Sequence, residues 1–231
     1  MFHRPSPRSR FAWISAAVLA LLLLSAGSVA ADTTPLADGK FTQNGTSAEV
    51  YTSTCTAPVG DTTTCSDVGL SVFAGKMSDS FSGVSHRNQV CAHITTYTID
   101  LVTGDYLGEP VFESGCQVDL PNGTVQAAKD LTSVKLATTN LQVDEYVCDE
   151  FSCEPVSNRD VTVGGTWTGV GPTSSWKYRS SSDGGTCRTY DSGKGSGREA
   201  SFVGAVDGES LNGEAWITNG RFTFRSRCSE A

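Results

Sequence analysis

Short runs of β-branched and aromatic residues recur along the chain, many of them alternating with polar positions. Ile94-Thr95-Thr96-Tyr97-Thr98-Ile99 is the clearest, and residues 111–112, 133–143, 161–168, 200–206 and 221–225 follow the same habit. A period of two places successive side chains on opposite faces of a strand. Between the runs stand turn formers: Asp38-Gly39, Asn44-Gly45, Asn122-Gly123, Asp183-Gly184-Gly185, Asp207-Gly208, Asn212-Gly213 and Asn219-Gly220. Only residues 125–131 have a helix-favouring composition, enough for about two turns. The pattern predicts an all-β chain of many short strands, the signature of a sandwich or barrel.

The pattern also repeats. Leu36, Lys40 and Phe41 lead through a strand-like run to Cys55, then to Cys65, Asp67, Val68 and Phe73-Ala74-Gly75. Leu131, Lys135 and Leu136 lead in the same order to Cys148, Cys153, Asp160, Val161 and Trp167-Thr168-Gly169. Ile217, Arg221 and Phe222 echo the opening once more. Self-similarity of this kind predicts a duplicated unit. The expected architecture is therefore two tandem β-sandwich-like units, residues 32–131 and 132–231, stapled by disulfides.

Residues 1–31 read as a secretory leader. Arg4, Arg8 and Arg10 precede an apolar run over residues 11–24, and small residues follow up to Ala31. The run is about 14 residues long, short of the roughly 18 needed by a spanning helix. The mature chain is thus expected to be secreted or extracytoplasmic, with no transmembrane segment. All eight cysteines lie beyond the leader, and in an exported chain an even number reads as a disulfide framework.

The duplication and one hairpin give the pairing. Cys55–Cys65 and Cys148–Cys153 each flank a short turn-like segment. If Thr103-Gly104 is a two-residue loop, Val102 faces Asp105 and Cys91 comes opposite Cys116. That register puts His93, Thr95, Tyr97, Ile99 and Leu101 on one face with Tyr106, Phe112 and Ser114, the face expected to be buried. Pro110 cannot donate to a ladder, so its strand is expected to be an edge or to break there. Elimination leaves Cys187–Cys228.

Charge and chemistry narrow the function. The chain holds 17 basic and 25 acidic residues, net −8, and three of the arginines belong to the leader. Such a balance argues against nucleic acid, which needs clustered Lys and Arg. Beyond the leader there are two histidines, His86 and His93, with no metal-ligand spacing around them. No catalytic residue, metal site or cofactor is expected. Trp176 sits in a polar segment with Lys177, Tyr178 and Arg179, and an aromatic among cations is a binding-surface composition. His86 and Arg87, in a Gly-, Ser- and Asn-rich stretch, form a second candidate. Both segments are expected to be loops, as is the glycine-rich Gly193-Lys194-Gly195-Ser196-Gly197. The favoured function is a non-catalytic binding or surface-interaction module for an extracellular carbohydrate or protein. A secreted hydrolase with a carboxylate-based site, or a purely structural envelope-associated protein, are the alternatives.

Overall fold

The computed structural model describes residues 38–148, 153–184 and 187–228, without the side chain of Cys148. Residues 1–31, expected to be a leader, therefore lie outside the described residues. Ten strands make up the fold: β1 Gly39–Cys55, β2 Thr62–Asp79, β3 Val84–Asp100, β4 Val111–Val118, β5 Val125–Ala127, β6 Ser133–Cys148, β7 Cys153–Asp183, β8 Cys187–Val206, β9 Glu209–Leu211 and β10 Glu214–Cys228. The segment with helix-favouring composition is β5 and a turn, because Val125 and Gln126 are held opposite Leu136 and Lys135 of β6.

All pairings are antiparallel and belong to one sheet. β10 pairs with β1 along one side and with β8 along the other, Ile217 standing opposite both Ala48 and Arg198. The order β1-β2-β3-β4-β6-β7-β8-β10 thus returns to β1, and the sheet closes into an eight-stranded barrel. β5 and β9 are short additions to β6 and β8. The two expected sandwiches are replaced by this single sheet, whose ladders join β1 to β10 and β4 to β6 across the two halves of the chain. The physical reason is edge pairing: four strands alone expose two open edges, and ring closure satisfies both.

Inside the ring, rungs of aliphatic side chains face one another: Ala48, Val72 and Val90, then Val50, Leu70 and Ala92, then Val68 and Ile94. Leu141 and Val161 continue the layer, as do Val163 and Val206. Trp167 plugs the lumen against Phe202, ring centroids 4.5 Å apart, and is 0% exposed. An eight-stranded barrel is just wide enough to be filled in this way. The Trp167 indole N–H has no hydrogen-bond partner among the described residues.

The inward face of β3 is Val90, Ala92 and Ile94, the opposite of the expectation from its hairpin. Those three match the aliphatic residues of β2, whereas His93 and Tyr97 carry polar atoms that find Asp67 on the outer wall. The hairpin itself also differs from a two-residue loop. Asp100 accepts hydrogen bonds from the backbone N–H groups of Val102 and Thr103, and Ile99 lies opposite Tyr106. Two extra residues then loop out on the β4 side before Val111, around Pro110, and restore the register in which Cys91 faces Cys116. At Asp207-Gly208 both residues take positive φ, 53° and 83°, the geometry of a tight hairpin turn.

Disulfides join directly opposed rungs at Cys55–Cys65, Cys91–Cys116 and Cys187–Cys228. Cys153 is disulfide-bonded and lies opposite Cys148. At the barrel end near Val206, Arg159 of β7 forms ion pairs with Glu113 of β4 and with Asp207, so one guanidinium ties β7 to β4 and to the turn that follows β8. No helix among the described residues is long and apolar enough to cross a membrane.

Two stability outcomes follow from this packing. Replacing Cys187 and Cys228 together by alanine opens a loop with a sequence separation of 41. It is expected to cost about 4 kcal/mol in urea unfolding, against about 3 kcal/mol for the shorter loop of Cys55 and Cys65, on the loop-entropy account. Trp167→Ala, which empties the plug, is expected to cost about 3–5 kcal/mol in the same assay.

Candidate functional site

The eight strands do not all reach one end of the barrel. β6 pairs with β7 up to Thr168, and β4 pairs with β3 down from Gln89. Past a bulge between Val170 and Ser174, β7 continues with β8 alone. There β7, β8, β10, β1, β2 and β3 run on as a six-stranded extension whose margins are residues 174–182 of β7, paired with β8 alone, and residues 84–88 of β3, where Asp119 accepts the Arg87 N–H.

Strand alternation gives this extension two unlike faces. The face continuous with the barrel interior carries a single rung of Lys177, Lys194, Arg221, Asn44, Lys76 and Arg87. The next rung outward is Arg179, Ser192, Thr223, Thr42, Ser78 and Ser85, and beyond it come Tyr190, Arg225 and Lys40. Eight cations thus share this concave face, all of them exposed, and these rungs contain no acid. None of the eight is ion-paired among the described residues. A shallow depression of about 340 Å³ opens here, lined by Lys177, Arg179, Lys194 and Arg221 with the hydroxyl residues Ser192 and Thr223, Tyr178 and Gly193.

The outer face of the same rungs is aromatic and glycine-rich. Trp176 stands in line with Gly195, Gly220, Gly45 and Gly75, and Tyr178 with Gly193, Phe222, Gln43, Met77 and His86. The Trp176 and Tyr178 rings stack 5.9 Å apart and lie down across β8: a Cβ on Gly195 would come within 2.7 Å of Trp176, and one on Gly193 within 2.5 Å of Tyr178. The Tyr178 hydroxyl donates to Asp191, 3.3 Å away. Burial, then the Asp191 charge, pushes the Tyr178 hydroxyl well above its usual value, and burial also raises the Asp191 carboxyl.

The sequence-derived candidates are therefore strand residues, not loop residues. Trp176, Lys177, Tyr178 and Arg179 lie in β7, and His86 and Arg87 in β3. Alternation separates them: Trp176, Tyr178 and His86 face outward, while Lys177, Arg179 and Arg87 join the concave rungs. His86 Nδ1 lies 3.0 Å from Asp119 Oδ2, and Asp119 also accepts the Arg87 backbone N–H, which holds its carboxyl below the ordinary range. The glycine-rich stretch at residues 193–197 is likewise part of β8, and glycine there is what lets two rings lie on the backbone. Sequence reading missed Lys194, Arg221 and Lys76, because their only common signal is a ladder register between segments far apart in the chain.

Two other polar groupings occupy the outer wall and the far end. Tyr51, Asp67, His93 and Tyr97 cluster outside β1–β3, with the Tyr97 hydroxyl 3.4 Å from Asp67. Burial and hydrogen bonding to Asp67 push Tyr51 up to about 12, while burial lowers His93 against the pull of Asp67. At the far end Glu113 and Glu145 are direct cross-strand neighbours. Both oxygens of Glu113 are taken by Arg159, and Glu145 accepts from Ser157, 2.6 Å away, so this pair is committed to bracing the barrel.

Fold and site together define a class: a disulfide-bonded, all-β antiparallel barrel with a cationic, two-faced sheet extension. No protein-family model, no curated protein and no solved structure matches the chain.

Glu49, half-buried on the outer wall opposite Trp216 and Ser71, has its carboxyl raised above 4.5 by burial. A carboxyl raised in the folded state favours folding while protonated and loses that contribution as pH climbs through its folded value. Glu49→Gln is therefore expected to raise the melting temperature near neutral pH, with the gain fading below 4.5; an unchanged melting temperature at both ends would exclude a strained carboxylate.

Proposed function

We propose that the protein is an exported, non-catalytic binding module that holds an anionic ligand on the concave face of its extension. The observation that supports this is the segregation of eight exposed cations on one face of a chain whose net charge is −8. Like charges gathered without partners raise one another's energy, and an anion bound among them relieves that repulsion. The depression between Lys177, Arg179, Lys194 and Arg221 offers hydroxyl donors beside the cations, a combination suited to carboxylate, sulfate or phosphate groups. Overall acidity limits unspecific attraction, so binding is confined to this face.

Export is supported by the leader-like residues 1–31 and by the disulfides. The hydrolase alternative draws less support, since Glu113 and Glu145 are occupied with Arg159 and Ser157. Duplication remains the reading of the repeat: the cysteine hairpins β1–β2 and β6–β7 open the two four-strand halves of the ring.

Retention of the oxidised protein on immobilised anionic, neutral and cationic polymers tests the proposal. Anionic polymers alone are expected to retain it, with log affinity falling by on the order of one unit per contact as log salt rises. Lys194→Glu with Arg221→Glu is expected to reduce retention by roughly tenfold or more while the fold, read by circular dichroism, is unchanged. Retention of that variant equal to the parent, or retention on neutral polymers alone, would refute a cationic site. A protein held by none of the three would favour the purely structural role.

A further inference from the structure

We propose that the free margin of β7, residues 174–182, receives an extended acidic peptide as an added strand; this rests on the anionic-ligand reading and names its partner. A closed barrel leaves no strand edge, yet past the bulge at Val170 the only ladder partner of β7 among the described residues is β8. One side of this strand therefore turns a row of backbone N–H and C=O groups to solvent, and every residue of the stretch is exposed. Such a row is a template for another chain.

Natural sheets blunt long edges with proline, bulges or charge. Proline is absent from residues 174–182. Charge is present there as Lys177 and Arg179, but defence of an edge needs cations only on the edge strand. Here Lys194 and Arg221 stand on the same rung one and two strands further in, and together with the edge pair they line a depression. That arrangement is a receptacle for acidic side chains reaching inward from an added strand. Its alternate side chains would fall on the outer face beside Trp176 and Tyr178, where flat aromatic surface accepts apolar or hydroxyl residues. The expected partner is thus an extended segment with Asp or Glu at every second position.

Two other occupants fit less well. A second copy paired through this edge would bring its own Lys177 and Arg179 onto the same concave face, adding cations to cations. A polysaccharide acid satisfies the cations and leaves the edge N–H and C=O groups without the evenly spaced partners that a peptide backbone supplies. The opposite margin, residues 84–88 of β3, is shorter and is broken by Asn88 at φ 51°.

The test titrates the oxidised full protein with a ten-residue peptide alternating Glu and Thr, the same composition with its glutamates in one block, and the alternating peptide N-methylated on alternate amides. Binding is followed by tryptophan fluorescence, assigned to Trp176 by its loss in a Trp176→Phe variant, and by amide exchange. The alternating peptide is expected to bind and to protect amides of residues 174–182. N-methylation on the edge-facing amides is expected to weaken it roughly tenfold or more, since main-chain hydrogen bonds are lost with the charge unchanged. Lys177→Glu with Arg179→Glu is expected to weaken binding of the alternating peptide roughly tenfold or more. Equal binding of the methylated or block peptides, protection elsewhere, or a dimer through β7 that peptide cannot displace would overturn strand addition while leaving retention on anionic polymers intact. Failure of both peptides and anionic polymers would overturn this inference and the anionic-ligand reading together.

Discussion

The double pairing of β10 is the constraint on which the structure depends. Strands contributed by the beginning and the end of the described chain meet only there, β1 on one side and β8 on the other. Without it the sheet would have two open edges, and no face would be distinguishable as an interior. With it, one side of every strand becomes the lumen and must be filled by side chains of limited volume. The aliphatic rungs and the Trp167–Phe202 plug answer that demand. The Cys187–Cys228 bond sits at the far end of the same ladder, so the covalent staple and the closing pairing guard the same seam.

Closure also fixes the chemistry of the extension. Because the concave face there continues the lumen face, alternate residues of the six strands are committed to it once the barrel forms, the phase being reset in β3 by the bulge at Asn88. No aliphatic residue is needed where the lumen opens to water, and cations and hydroxyls take the positions that Val, Leu and Ile hold lower down. The outer face has the opposite composition, with rings resting on glycine backbone. Electrostatically the molecule is divided: acid is spread over an acidic chain, while the concave rungs hold eight cations and no acid.

Much of this was legible locally. The period-two pattern and the turn residues point to an all-β chain, and Asp207-Gly208 is the turn its residues imply. The cysteine spacing in the first hairpin places Cys55 opposite Cys65, because a short turn leaves few registers. Less legible were segments whose two faces are both polar or glycine-rich. Residues 174–179 and 193–197 read as loops because hydrophobic alternation marks a strand only when apolar side chains fill one face: residues 174–179 are exposed throughout, and the buried positions of 193–197 are Gly193 and Gly197. The face of β3 was misjudged for a related reason: both of its faces carry β-branched residues, and the aliphatic rungs of β2 decide between them.

By itself the sequence determined the secondary-structure class, some of the turns, Asp207-Gly208 among them, and the local cysteine hairpins, all of which depend on residues within a few positions of one another; Asn44-Gly45 and Asn219-Gly220 read as turns but lie inside β1 and β10. It also presented Trp176, Lys177, Tyr178 and Arg179 as one cluster. Tertiary structure alone decided that the sheet closes on itself, that this cluster is split between two faces, and that Lys177 shares a rung with Lys194, Arg221, Lys76 and Arg87. Those relations are set by register between strands distant in the chain. A shift of one residue in any ladder would turn a cation to the opposite face, and nothing within the local sequence encodes that choice.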